Sequence, residues 1–436
     1  MIAQPRVAAA LLLLAVTLWL VLARPRGLSE GAAAALGAAI ALVTGLATLG
    51  DLVSGLTGTA GILVFLVSVM LLTGLAGAAG VFRWAAGLAL LTARGRGWLL
   101  FVNVYLLGAL ITLLLSLDVT AVVLTPLVCA LVLPLRLDAR PFVLASAFVA
   151  NTASLALPVS NLTNMLVYDL LGVGFWDFVH YLALPNLLAL VLNLALLLAL
   201  YWRRLPGRLR VSTPSFHLPP DPFFRSSLAL LSLTVLSLLI AGLAGWPFWP
   251  FALAGAVLLA ALSLTGGWIT PRHAAGTVAW GLPPFVVGMY VLVAAVYRAV
   301  EPLVADLPAA AARLPGPLAL ASAVAATTLG ANGVNNLPLS LAAIQLLRTI
   351  PADAAVSAAS AQHTLRDTLA FGTLIGVNLG PNLTVTGSLA TMLCLASARR
   401  AGVHVTAWEF TRAGLLVSLL PMAVATFALW LLLGQP

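Results

Sequence analysis

Long apolar runs separated by short polar breaks make up almost the whole chain. A membrane-spanning helix needs about 20 consecutive apolar residues. Eight continuous runs approach that length: 7–23, 31–49, 57–79, 179–201, 227–245, 248–268, 278–300 and 409–433. Two longer runs, 141–171 and 354–398, each contain a polar interruption with proline or glycine, and we interpret them as broken helices. The pattern predicts an all-α polytopic membrane protein with about ten membrane-crossing helices, two of them broken.

Two further apolar segments carry a polar interruption near their centres. Residues 97–135 are interrupted at 116–120, and residues 316–349 are interrupted at 332–338. We predict that each segment forms a re-entrant helical hairpin, which enters and leaves the membrane on one side. The polar tip of each hairpin would then lie near the midplane of the membrane.

The interruptions in the two broken helices resemble each other. Residues 151–164 and 378–391 align at an offset of 227, so that both begin with Asn and Asn161 falls on Ser388. Non-helical backbone inside a bilayer is tolerated only where it is buried in protein or lines a cavity. Paired interruptions in the two halves of a membrane chain indicate the substrate site of a transporter. The sequence therefore predicts one site built from both halves.

The two halves are predicted to be inverted repeats. Five crossings in each half force the halves into opposite orientations, with repeats at 1–201 and 227–436 joined by a basic linker at 202–226. With the N-terminus outside, 16 of the 21 basic residues fall in inside loops. This distribution satisfies the positive-inside rule. We therefore expect both termini outside and the linker in the cytoplasm.

Composition supports the membrane assignment and excludes other classes. The chain is 62% hydrophobic and 8% charged, whereas soluble proteins carry about 25% charged residues. The net charge of +9 comes from arginines confined to short breaks, which is a topology signal, so we expect no nucleic-acid partner. Cys129 and Cys394 have no metal-ligand spacing and are expected to be buried apolar side chains. We expect neither a metal site nor a cofactor, and run 7–23 is interpreted as a retained span, not a signal peptide.

Five stretches resemble the arsenite efflux permeases, a family of the ion-transporter superfamily that also contains sodium-coupled dicarboxylate carriers. They are residues 117–126, 150–154, 159–164, 335–338 and 379–391. The resemblance spans nearly the whole chain. It implies export of arsenite and antimonite, as trivalent hydroxides, across the inner membrane of a bacterium. It also implies protons as the coupling ion and, in some members, a partner ATPase on the cytoplasmic face.

The candidate site consists of neutral amides and hydroxyls, which both donate and accept hydrogen bonds. Arsenous acid is a small triol that is largely uncharged at neutral pH, so a neutral polar lining suits it. A dicarboxylate would favour arginines, and none lies near either interruption. The candidate substrate-binding residues are Ser160, Asn161, Asn164, Asn335, Asn336, Asn378, Asn382, Thr384, Thr386 and Ser388. Residues expected near the site are Ser116, Thr120 and Asn151.

Asp118 is the candidate proton-coupling residue. It lies at a predicted hairpin tip, deep in apolar surroundings where an ionised carboxylate is costly. Burial favours the protonated form, which can exchange its proton as the cavity opens to either side. The alternative is a carboxylate that is permanently paired or caps the second hairpin helix. Nearer the outer face, Asp367 is expected to pair with Arg366, and His363 could join them.

Three functional hypotheses follow from these residues. A proton-coupled arsenite exporter accounts for most of the observations. A related carrier of a carboxylate or inorganic anion, coupled to sodium or protons, is the alternative. An intramembrane enzyme is poorly supported because the chain lacks His-Glu-x-x-His and Gly-x-Ser-x-Gly. Sequence alone leaves a passive channel open, although matched inverted repeats favour alternating access.

Overall fold

A computed structural model describes residues 3–209, 221–351 and 364–434, and the regular elements in these ranges are helices. In these ranges, the first half of the chain comprises ten α-helices. Its helices are α1 Ala3–Ala23, α2 Glu30–Val43, α3 Leu49–Ala78, α4 Val81–Thr92, α5 Gly97–Leu114, α6 Leu117–Val119, α7 Thr125–Val132, α8 Ala139–Thr152, α9 Leu162–Leu171 and α10 Phe175–Tyr201. A π-helical turn, Thr120–Leu124, connects α6 to α7.

The second half repeats this order of helices, except that it has an additional short helix, α13, and a single helix, α17, where the first half has α6 and α7. Its helices are α11 Pro222–Leu243, α12 Trp249–Thr265, α13 Pro271–Gly276, α14 Leu282–Val304, α15 Leu307–Ala312, α16 Gly316–Val334, α17 Asn336–Arg348, α18 Leu365–Leu379, α19 Leu389–Arg400 and α20 Ala407–Leu433. The predicted all-α polytopic fold is confirmed.

Packing between the halves is reciprocal. Helix α2 packs against α14, and their counterparts α12 and α3 pack against each other. Helix α8 contacts α19, while α18 contacts α9 in the same way. The last helix of each half, α10 and α20, pack together. Such an exchange of partners is what a two-fold relation between the halves requires.

Eight helices in the described ranges are long and apolar enough to cross a membrane: α1, α3, α5, α10, α11, α14, α16 and α20. Helices α2 and α12 are shorter, with 14 and 17 residues. The first arms of the two hairpins, α5 and α16, contain 18 and 19 residues, about the length of a span. Length therefore does not decide their path, and the re-entrant course of the hairpins stays a prediction.

The predicted boundary between the second and third runs was wrong. Helix α2 ends at Val43 and α3 begins at Leu49, eight residues before the predicted start at 57. The reason is a capping box. The Thr48 hydroxyl accepts from the Asp51 amide (3.2 Å), and the Asp51 carboxylate accepts from the Thr48 amide (2.6 Å). These two bonds satisfy backbone donors that a new helix leaves free, so they start α3 within the apolar run.

Both broken helices are present. In the predicted run 141–171, α8 and α9 are separated by residues 153–161, which we name break 1 and which contain one short 3-10 turn. In the run 354–398, α18 and α19 are separated by residues 380–388, named break 2, which form two short 3-10 turns. Residues 354–363 of this run lie outside the described residues.

Glycines at four-residue intervals let α18 pack closely on α16. A Cβ at Gly372 would lie 3.0 Å from the Ala323 Cβ, and one at Gly376 would overlap the Thr327 hydroxyl. Gly376 also faces the Val324 carbonyl oxygen, 2.8 Å from the position of such a Cβ. Backbone on both sides fixes this distance, so only glycine fits there.

Gly376→Ala should therefore destabilise the protein. Overpacking of this kind costs about 1–3 kcal/mol. Gly333→Ala on α16 is the matched control, because no atom lies within 4 Å of its added Cβ. The apparent melting temperature of the purified protein in detergent should fall for Gly376→Ala only. Equal melting temperatures for the two variants would contradict the close packing.

Candidate functional site

Buried amide side chains join the end of α18 to break 1 and to the start of α9. The Asn378 Oδ1 accepts from the Asn161 Nδ2 (2.6 Å) and from the Ser154 hydroxyl (2.6 Å). The Asn378 Nδ2 in turn donates to the Asn164 Oδ1 (2.8 Å). All four side chains are buried. One amide at the end of α18 thus fixes three side chains of the first half.

The equivalent amide of the first half makes similar contacts to the second half. The Asn151 Nδ2 donates to the Thr391 hydroxyl and to the Asn382 Oδ1, both at 3.0 Å. At the offset of 227, Asn151 corresponds to Asn378 and Thr391 corresponds to Asn164. The bond from Asn151 to Thr391 is therefore the counterpart of the bond from Asn378 to Asn164. The sequence repeat becomes a two-fold hydrogen-bond pattern in the structure.

A small cavity of about 30 Å³ lies beside this network. Each half supplies a hairpin tip, the first residues of the helix after the break, and apolar residues of a long span, α3 or α14. The lining residues are Leu66, Leu117, Asp118, Asn161, Leu162, Thr163, Leu282, Phe285, Val286, Asn335, Asn336, Leu337, Ser388, Leu389 and Ala390. Five of the predicted site residues belong to this set: Asp118, Asn161, Asn335, Asn336 and Ser388.

The polar residues of the lining differ in whether their side-chain groups already have hydrogen-bond partners. Asn161 and Ser388 cap α9 and α19, accepting from the amides of Thr163 (3.1 Å) and Thr391 (3.0 Å). Within the described part of the chain, the side chains of Asp118 and Asn336 have no hydrogen-bond or ion-pair partner. These two residues therefore offer free polar groups at the cavity.

Asp118 lies second in α6, and its carboxylate neither caps that helix nor forms an ion pair with any described residue. Ser116 is the cap, accepting from the Val119 amide (3.3 Å). Thr120 joins the two arms of the hairpin through a bond to the Thr112 hydroxyl (2.7 Å). The predicted near-site residues Ser116 and Thr120 thus hold the tip that presents Asp118 to the cavity.

Asn335 occupies a strained backbone conformation at the other hairpin tip. Its φ of 76° and ψ of 151° lie in a region that glycine adopts but that costs other residues about 1–3 kcal/mol. Its side chain accepts from the Leu337 amide (3.4 Å) and donates to the Thr386 carbonyl (3.0 Å). These two bonds hold the single residue that separates α16 from α17.

The remaining predicted residues surround the cavity without lining it. Thr384 and Thr386 both bond to Asn332 of α16, at 2.7 and 3.3 Å, and so join break 2 to its hairpin. Ser160 donates to the Leu113 carbonyl (2.9 Å), which joins break 1 to the first hairpin. Asn382 donates to the Thr152 hydroxyl (2.9 Å). In this arrangement these side chains hold the walls of the cavity in place.

Sequence reasoning missed several residues of this site. Asn332 and Ser154 lie inside the interruptions, where the polar pattern was visible but could not rank one residue above its neighbours. Leu66 and Phe285 come from uninterrupted apolar spans. Nothing in the hydropathy of those spans distinguishes the cavity side of the helix from the lipid side.

The expected pair of Arg366 and Asp367 was wrong. Asp367 forms a capping box with Thr364, accepting from its amide (3.3 Å), while Arg366 donates to the Leu170 carbonyl (2.7 Å). Adjacent residues on a helix do not face each other, which explains why they take different partners. His363 lies outside the described residues. Cys129 and Cys394 are buried as free thiols.

A family model described as arsenical pump membrane protein matches residues 9–433. The chain belongs to this family. The resemblance to the arsenite efflux permeases is thereby confirmed. Together with the apolar helices, membership identifies the chain as a multi-pass membrane transport protein.

Individual relatives match over almost their full length. An arsenical pump membrane protein of Yersinia enterocolitica is 30% identical over 421 residues, which covers 94% of this chain and 95% of the relative. One from Escherichia coli is 29% identical over 421 residues, with the same coverage. An uncharacterized transporter of Mycobacterium tuberculosis, Rv2684, is 27% identical over 378 residues, or 85% of each chain.

Among solved structures, the YdaH transporter of Alcanivorax borkumensis is similar in fold. It superposes with a TM-score of 0.56 and covers 88% of this chain and 89% of its own. The two sequences are 19% identical. At that identity the likeness concerns the arrangement of helices alone.

Removing the central amide should destabilise this membrane protein strongly. Asn378→Ala leaves the buried Asn161 Nδ2 and Asn164 Oδ1 without partners, and each unsatisfied group costs about 1–3 kcal/mol. The control is Asn103→Ala, whose amide makes two bonds in a partly exposed position, to Ala89 O and to the Thr92 hydroxyl. Thermal unfolding followed by size-exclusion chromatography should show a much larger loss for Asn378→Ala. Equal losses would show that the network is not needed to hold the breaks together.

Proposed function

We propose that this protein exports trivalent arsenic and antimony hydroxides from the cytoplasm by proton antiport. One observation carries the proposal. In a member of the arsenical pump membrane protein family, two helix breaks and two hairpin tips enclose a small cavity. Its polar lining consists of neutral groups and a single carboxylate.

The lining of the cavity favours a small uncharged polyol over an anion. A volume of about 30 Å³ limits the site to a small solute. The free amide of Asn336 can donate and accept, and Asp118 accepts when ionised. No arginine is among the lining residues. A carboxylate or inorganic anion would meet the like charge of Asp118 without a compensating cation, so this alternative is disfavoured.

Asp118 can couple export of the substrate to import of a proton. The ionised carboxylate accepts hydrogen bonds from the hydroxyls of the substrate when the cavity opens to the cytoplasm. Protonation from the outer side removes the negative charge and turns one carboxylate oxygen into a donor, which weakens binding and favours release. A neutral carboxyl is also less costly in apolar surroundings, so the empty site returns with its proton. Proton and substrate thus occupy the same site in alternation.

The inverted-repeat hypothesis explains how the site could reach both sides. Reciprocal packing of α2 with α14 and of α12 with α3 supports a two-fold relation between residues 1–201 and 227–436. With five crossings per half, such a relation would put the axis in the membrane plane, and the distribution of arginines would put the linker 202–226 in the cytoplasm. Movement of one half against the other would then expose the cavity to each side in turn.

Asp118→Asn should retain only the weaker substrate binding of the protonated form and abolish accumulation driven by a proton gradient. The amide preserves size while removing the titratable group. Arsenite uptake into everted membrane vesicles should lose its dependence on the proton gradient in this variant. The matched control is Asp306→Asn, which alters an exposed acidic residue on α15's N-terminal side and should pump normally.

Normal pH-dependent pumping by Asp118→Asn would assign proton coupling to another group. Collapsing the sodium gradient separately from the proton gradient tests the coupling ion in the wild-type protein. If only the sodium gradient matters, or if no arsenite is taken up, the proton-coupled exporter is the wrong assignment.

The orientation of the protein in the membrane is tested with single introduced cysteines. The native residues Cys129 and Cys394 are buried, so they should not react with the label. Gly207→Cys lies in the linker, where no atom is within 4 Å of the added Cβ, and Asp177→Cys lies exposed at the start of α10. A membrane-impermeant maleimide should label Gly207→Cys only from the cytoplasm and Asp177→Cys only from outside. Labelling of both from one side is incompatible with the inverted arrangement.

A further inference from the structure

Thr163 is a buried residue that lines the cavity and whose hydroxyl lacks a hydrogen-bond partner among the described residues. It lines the cavity and its side chain is 1% exposed. Its hydroxyl has no hydrogen-bond partner among the described residues. Buried hydroxyls in proteins are nearly always bonded, and each exception calls for an explanation.

The usual intrahelical partner is missing for a geometric reason. Buried threonines within helices bond to a carbonyl four residues earlier, as Thr59 does to Gly55 and Thr73 does to Val69, both at 2.6 Å. Thr163 is the second residue of α9, so the residues three and four before it belong to break 1 and not to a preceding helical turn. The end of the break therefore leaves this hydroxyl without an acceptor.

The second half has no equivalent group. At the offset of 227, Thr163 corresponds to Ala390, which also lines the cavity. Three consecutive residues of each half line the cavity here. Asn161 corresponds to Ser388, and both are polar; Leu162 corresponds to Leu389. Only the third pair, Thr163 and Ala390, combines a polar residue with an apolar one. One side of the cavity thus carries a hydroxyl that the other side lacks.

We propose that the Thr163 hydroxyl binds the substrate directly and makes the cavity asymmetric. This inference rests on the proposed export of metalloid hydroxides. A hydroxyl of the substrate supplies the hydrogen-bond partner that the protein leaves out, with Asn336 and Asp118 bonding the others. Two of these three groups, Thr163 and Asp118, belong to the first half.

The experiment replaces the Thr163 hydroxyl with a methyl group, which keeps the shape of the side chain. Arsenite uptake into everted vesicles is measured over a range of concentrations for the wild type, Thr163→Val and Thr163→Ser. Thr73→Val is the control, because Thr73 is a buried threonine on α3 that bonds only its own helix. The melting temperature of each purified protein is measured with and without arsenite, as a readout that does not depend on transport.

Thr163→Val should raise the half-saturating arsenite concentration by about two- to tenfold, with little change in maximal rate. Thr163→Ser should restore it, and Thr73→Val should match the wild type. The melting temperature of Thr163→Val without arsenite should equal or exceed that of the wild type, since an unpartnered buried hydroxyl is being removed. This combination separates a ligand contact from a structural role.

An unchanged half-saturating concentration in Thr163→Val overturns the proposal, as does a fall in its melting temperature without arsenite. Both results would leave arsenite export by the wild type intact. If the wild type neither takes up arsenite nor is stabilised by it, the proposed function fails, and the inference about Thr163 fails with it.

Discussion

Backbone groups that are freed by breaking a helix inside a membrane must find partners within the protein, because lipid offers none. This protein breaks two helices, and the architecture around the cavity meets that requirement. Asn164 donates to the carbonyls of Ser154 (2.6 Å) and Leu157 (2.9 Å) in break 1. Asn332 donates to the Gly380 carbonyl (2.9 Å) in break 2. Side-chain amides thus replace the backbone bonds that a continuous helix would have made.

The same amides connect the two halves. Because each break uses side chains from the other half, neither break is complete alone, and the site forms only where the halves meet. Asn378 and Asn151 carry this connection in opposite directions. The close approach of α18 to α16 through Gly372 and Gly376 keeps break 2 against its hairpin. Packing and hydrogen bonding therefore support the same arrangement.

The polar residues around the cavity divide into two groups. Most of them, including Asn161, Ser388 and Thr384, already use their hydrogen-bonding groups within the protein. Asp118, Asn336 and Thr163 do not, although all three line the cavity. A rigid frame of satisfied groups that presents a few unsatisfied ones is suited to binding a small solute without rearranging the frame.

The sequence determined the class of the protein and the location of its breaks. Hydropathy indicated the membrane-spanning helices, because lipid excludes charged side chains. The repeat at an offset of 227 indicated that the two halves carry paired interruptions. The alignment of Asn161 with Ser388 marked equivalent positions in the two halves.

Tertiary structure decided which polar side chains remain free. Asn378 and Asn336 are the same residue type in similar polar interruptions, yet one is bonded on both sides and the other is not. Whether an amide is satisfied depends on the residues that the opposite half brings within 3 Å or so, roughly one hydrogen-bond length. Local sequence does not encode those neighbours. For the same reason Thr163 is indistinguishable in sequence from any threonine near a helix start, and only the cavity beside it gives its hydroxyl significance.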